Sequence, residues 1–165
     1  MDVFWEELTS GLPNFRQLSH VIIRLVAATI LGAAVGLQRE KAGKPAGLRT
    51  HMLVTLGTTV FVLACAGSGM SSDGLSRVIQ GIVTGIGFIG AGSILKLNDE
   101  RDVKGLTTAA SVWMTAAIGV AVGLGGLGIA LLGTLFTLLI LAVVWRFEAQ
   151  AEKKKATIID VESND

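Results

Sequence analysis

Tyrosine is absent from this chain, proline and histidine occur twice each, and the single cysteine, Cys65, lies within an apolar run. One cysteine excludes an intramolecular disulfide framework, so Cys65 reads as a small buried hydrophobe. Charged residues make up only 16% of the 165 positions, against about a quarter in an ordinary soluble domain. A formal net charge of +1 gives no bulk electrostatic pull towards nucleic acid, and no nucleic-acid partner is expected. No H-E-x-x-H or G-x-S-x-G occurs, and no Asp or Glu lies inside any long apolar run, so no enzyme class is indicated.

What is present is apolar mass and glycine. Hydrophobic residues make up 51% of the chain, glycine contributes 21 positions, and the mean hydropathy is +0.63. A membrane-crossing helix needs about 20 mostly apolar residues. Five runs meet that length: 20–38, 50–68, 77–96, 106–124 and 127–146. Only Gly125 and Gly126 separate the last two, which predicts an antiparallel hairpin. The first run begins behind Asp2, Glu6 and Glu7, unlike the basic start of a cleavable leader, so the runs are expected to stay in the mature protein.

Basic residues orient the spans. Eleven lie in the loops after spans one and three and in the tail, against Arg16 and Arg77 on the opposite side. That bias predicts an N-terminus outside and a C-terminus in the cytoplasm, which an odd number of spans allows. The expected fold is therefore an all-α integral membrane protein with five transmembrane helices in a Gly-rich, tightly packed bundle. Residues 1–19 form an external or interfacial segment with Phe4, Trp5, Leu8 and Leu12 among acids; 20–146 form the membrane domain; 147–165 form a short cytoplasmic tail.

Gly85, Gly87 and Gly90 spell G-x-G-x-x-G within TGIGFIGAG. A dinucleotide loop needs a preceding strand and a wet crevice, whereas this stretch continues an apolar span, so the match is accidental. Glycine rows explain it better. Gly32 and Gly36, Gly81 and Gly85, and Gly119 and Gly123 are each G-x-x-x-G. Such rows let helix axes approach closely in lipid, and Gly87, Gly90 and Gly92 add to the third span. Spans one, three and four are expected to form the tight core, with the Leu-rich fifth facing lipid. Three such faces exceed what one bundle consumes, which predicts homo-oligomers. A rival reading of span three is a break whose freed carbonyls coordinate a cation.

Arg24 lies inside span one, where it either marks a functional site or reaches back to the outer surface beside His20, with Asp73, Gln80 and the N-terminal acids as candidate partners. A polar ring gathers at the other side: Arg39, Glu40, Arg49, Thr50, His51, Asp99, Asp102, Thr107 and Thr108. Glu40, Asp99 and Asp102 are candidate holders of hydrated Mg²⁺, which keeps several waters and uses one or two carboxylates; the alternative is a set of solvated loop charges. Thr107 or Thr108 suits the N-cap of span four, and Arg49 and His51 suit loop docking.

Four stretches in order, RLVAATILGAAVGLQRE at 24–40, AGLRTHMLVTLG at 46–57, GIGFIGAGSIL at 85–95 and GLTTAASVWMTAAIGVAVGLG at 105–125, resemble the MgtC/SapB family of bacterial membrane proteins. The resemblance covers spans one to four in order and spacing. It implies a multi-pass bacterial inner-membrane protein linked to growth under magnesium limitation and, in several pathogens, to virulence. It also implies either magnesium transport or regulation of membrane partners such as the ATP synthase. The motif positions that carry over are Arg24, Gly32, Gly36, Arg39, Glu40, Gly47, Arg49, Thr50, His51, Gly85, Gly87, Gly90, Gly92, Gly105, Thr107, Thr108 and Trp113, while Gln38 stands where Glu is commoner. Longer members add a soluble C-terminal domain for which this sequence leaves no room, so functions tied to that domain are not expected here.

Overall fold

A computed structural model describes Val3 and residues 15–96 and 103–143. Between residues 15 and 143 the described residues form five helices: α1 Phe15–Lys41, α2 Leu48–Gly67, α3 Ser72–Ala91 and α4 Leu106–Gly123, then α5 Leu127–Val143. The first four are long and apolar enough to cross a membrane; α5 is shorter over its described length. At 1.5 Å per residue, α1 is about 40 Å long and α3 about 30 Å. Between α3 and α4 two short strands, β1 Leu95–Lys96 and β2 Val103–Lys104, pair antiparallel, Leu95 opposite Lys104.

Local chemistry sets the ends. Ser71 caps α3, its hydroxyl accepting from the Gly74 N–H at 3.2 Å, with Asp73 in the favourable first turn. The α4–α5 turn closes with Gly126 N–H on Ala121 O at 2.8 Å and Gly125 N–H on Val122 O at 2.9 Å. Gly125, at φ +86°, supplies the left-handed residue this cap needs. The N-cap of α4 is Gly105, also left-handed at φ +99°, with no side-chain cap. That corrects the expected threonine cap: Thr107 is exposed, and Thr108 is buried and turned to another partner.

The expected core of spans one, three and four is also corrected. α2 is the central partner, packed along both α1 and α4, while α3 leans on α4 and meets α2 only slightly. The reason lies in what fills the glycine rows. A Cβ on Gly36 would come within 2.7 Å of Leu48 Cα, and one on Gly32 within 2.7 Å of the His51 carbonyl oxygen. Further along α2, a Cβ on Gly119 would overlap Thr58 Oγ1 and the Thr55 carbonyl, and one on Gly123 would sit 2.6 Å from Val62 Cβ. One threonine-rich helix thus occupies both rows. By contrast, Gly81, Gly85 and Gly87 on α3 have no atom within 4 Å of a would-be Cβ, and Gly90 reaches only Ala109 at 3.6 Å. Gly92, just past α3, meets only carbonyls of its own last turn.

α3 is continuous from Ser72 to Ala91 and ends five residues before the expected boundary, where Ser93 N–H bonds Gly90 O. The α5 face with Ala130, Thr134, Thr137 and Leu141 is buried, Ala130 and Leu141 in one cluster with α1 and α4. Its Leu-rich face is exposed. Residues 1–2, 4–14 and 144–165, which hold most of the N-terminal segment, the end of the fifth span and the tail, lie outside the described residues.

Candidate functional site

At the end of the bundle where α1 turns into α2, the family-motif residues divide into those the fold buries and those it leaves at the surface. Arg39, 3% exposed, donates from Nη2 to Thr108 Oγ1 at 3.1 Å and so ties α1 to α4. His51 has no exposed surface. Its Nδ1 stands 2.9 Å from the Gly47 carbonyl and its Nε2 3.2 Å from Ser111 Oγ. A carbonyl only accepts, so Nδ1 carries a proton, while the Ser111 hydroxyl beside Nε2 donates to the Thr108 carbonyl at 2.8 Å. Glu40 Oε2 accepts from the Leu48 N–H at 2.9 Å, giving α2 the cap that Gly47 has no side chain to supply. Thr50 is half-buried; Arg49, Thr107 and Trp113 are exposed. Arg49 and His51, expected to act together in loop docking, thus go different ways.

The Mg²⁺ expectation rested on Glu40, Asp99 and Asp102. Asp99 and Asp102 lie outside the described residues, and Glu40 is engaged in capping. Among the described residues no group of three or more His, Cys, Asp or Glu converges.

From His51 a seam of buried hydroxyls runs between α2 and α4. Thr55 and Thr115 donate to the carbonyls of His51 and Ser111 at 2.7 Å each. Thr59 crosses the interface to the Gly119 carbonyl at 2.8 Å, a bond possible only because Gly119 has no side chain in the way. Thr55, Thr58 and Thr59 carried no weight in the sequence reading. Their signal was a run of polar positions at steps of four, His51, Thr55 and Thr59, inside an apolar span. Back-bonding of this kind satisfies the hydroxyls without water, so the seam is a dry, specific contact.

At the other end of α1, Arg24 does not meet Asp73 or Gln80. Its Nη1 donates to the Gly123 carbonyl at 3.0 Å, where the unpaired carbonyls of the α4 C-terminus favour a cation. A Cβ on Gly125 would lie 2.6 Å from Arg24 Nη2, so the glycine clears the guanidinium's place.

Between α2 and α3 lies an open apolar groove of about 610 Å³ lined by Leu53, Phe61, Val78 and Ile82, among others. Gly57 on one wall and Gly81 and Gly85 on the other face open space.

Comparison with known proteins gives this geometry its context. A profile of the MgtC family matches residues 25–150. Protein SrpB of Synechococcus elongatus is 45% identical over 130 residues, 72% of this chain and 71% of SrpB. YhiD of Escherichia coli, described as a candidate magnesium transporter, is 45% identical over 129 residues, 74% of this chain and 59% of its own length. Protein MgtC of Salmonella typhimurium is 44% identical over 117 residues, 71% of this chain and 49% of MgtC. The chain thus spans about half of MgtC and three-fifths of YhiD. No solved structure matches. Motif residues, the family profile and the bundle of apolar helices agree: the chain is a membrane protein and belongs to the MgtC family.

Proposed function

We propose that this chain is a non-enzymatic inner-membrane protein of magnesium adaptation that acts by receiving a transmembrane helix of a partner protein in the α2–α3 groove. The observation that carries the reading is the unfilled third glycine row. The rows on α1 and α4 each hold a helix, whereas the groove with Gly81 and Gly85 is the same device left open. In lipid, such a face gains by close helix contact. The magnesium link comes from the family and from the description of YhiD; the ATP synthase is one candidate partner that the resemblance implies. The Ser111–His51 pair supports a structural reading, because both residues are buried and face each other between α2 and α4. The charge bias supports an N-terminus outside and a C-terminus in the cytoplasm.

The test fills the groove without touching the core. Gly81→Ile and Gly85→Ile have open space for the new side chain, so the protein should fold and reach normal membrane levels, yet fail to restore growth at low magnesium. Full restoration by both variants would defeat the reading. The second reading is Mg²⁺ transport, favoured by the description of YhiD. Proteoliposomes holding only this protein should take up no more Mg²⁺ than empty vesicles; flux above that level would establish transport instead.

A further inference from the structure

One face of α3 is unlike any surface that lipid should cover. Asp73, Arg77, Gln80, Thr84, Gly87 and Ala91 recur at steps of four and three along the whole helix, and all six are exposed. At about 100° per residue they fall in one narrow stripe on the helix surface. The stripe lies away from the α2–α3 groove, whose α3 wall is built by Val78, Gly81, Ile82, Gly85, Ile86 and Ile89. α5 shows what a lipid-facing row looks like in this same molecule: Ile129, Leu132, Phe136, Leu139 and Val143 follow the same spacing, all exposed and all large and apolar. The α3 stripe contains no large apolar side chain.

At 1.5 Å per residue, Gln80 and Thr84 sit about 12 and 18 Å along a helix about 30 Å long. Thr84 satisfies itself by donating to the Gln80 carbonyl at 2.9 Å. The side chains of Asp73, Arg77 and Gln80 make no hydrogen bond or ion pair to the described residues. A primary amide facing lipid forfeits hydrogen bonds that hydrocarbon cannot replace.

We propose that this stripe is the contact between two copies of the chain, with the two α3 helices side by side and parallel. The complementarity favours a second copy over another protein. Copies inserted by the same charge bias share orientation and depth, so a two-fold axis along the membrane normal sets each stripe residue beside its twin. A glutamine amide both donates and accepts, so Gln80 pairs with Gln80 of the other copy. Asp73 and Arg77, opposite charges one turn apart on the stripe, pair across the same axis. Gly87 and Ala91 let the helices close at the other end, and alternating steps of four and three are the spacing of a two-helix seam. Phe88, 86% exposed, flanks the stripe and covers its edge. This contact does not depend on the groove and leaves it open.

The test uses single cysteines in a Cys65→Ala background, oxidised in native membranes. Cysteines at Gln80, Thr84 and Gly87 should give covalent homodimers, and those at Leu132 and Phe136 on α5 should not. Stripe cysteines that stay monomeric, or α5 cysteines that link equally well, would overturn the proposal. Labelled chains in nanodiscs should bleach in two steps. A predominance of one step, or of three or more as in a ring around a water-lined pore, would also overturn it. Gln80→Leu should weaken dimerisation roughly three- to tenfold, the value of one interhelical hydrogen bond in lipid, and Gln80→Asn should restore most of it. An unchanged dimer in Gln80→Leu would remove the amide from the interface.

Discussion

Thr108 shows how a single hydroxyl decides a helix contact. Its side chain receives the buried Arg39 guanidinium at 3.1 Å. Thr108→Val keeps the shape but removes the acceptor, and should cost about 1.5–3 kcal/mol, the range for hydrogen bonds to charged groups; equal unfolding temperatures in detergent for the variant and parent would contradict this. Arg39, His51 and Thr108 could all be picked out from the sequence as motif positions. Their roles could not, because each role depends on a partner 60 or more residues away, as in His51 with Ser111 and Arg39 with Thr108. Thr55 and Thr59 were missed for a related reason. A hydroxyl in an apolar run reads as filler until the helix opposite is known.

The helices themselves were legible, because a run of about 20 apolar residues has few other uses. Their ends were less so. α1 extends back to Phe15, and α3 stops at Ala91, where Gly90 and Gly92 weaken the helix before the β1–β2 turn. The start of α2 depends on a carboxylate eight residues earlier, an arrangement no local capping rule announces. Glu40→Ala should loosen that first turn by about 1 kcal/mol, the usual value of a lost cap, seen as faster amide exchange at Leu48. Glu40→Gln, which keeps an acceptor oxygen, should be milder. Equal exchange in all three proteins would dismiss Glu40 as the cap. Arg24 is the counterpart at the other end of the bundle. Arg24→Leu should free the α4 C-terminus and destabilise the protein by up to about 2 kcal/mol, the upper value for a cation at a helix end. If exchange at Gly125 and Gly126 did not quicken, the α4–α5 turn would owe its order to the glycines alone.

For the molecule as a whole, the three G-x-x-x-G rows looked alike in sequence, and only their surroundings separate them. A row states that something approaches closely; it does not state which helix. Two rows turned out to pack against α2, one nearer each of its ends, and the third faces outward from α3. That division predicts opposite responses to the same small change. Gly119→Ala drives a methyl group into Thr58 and the Thr55 carbonyl, and overpacking of that kind costs about 1–3 kcal/mol. Gly85→Ala enters open space and removes a poor helix former, a gain of up to about 1 kcal/mol. The most direct measurement is therefore the unfolding temperature of both variants beside the parent in one detergent. The account predicts a clear fall for Gly119→Ala and no fall for Gly85→Ala; a fall of similar size in both, or none in Gly119→Ala, would contradict it.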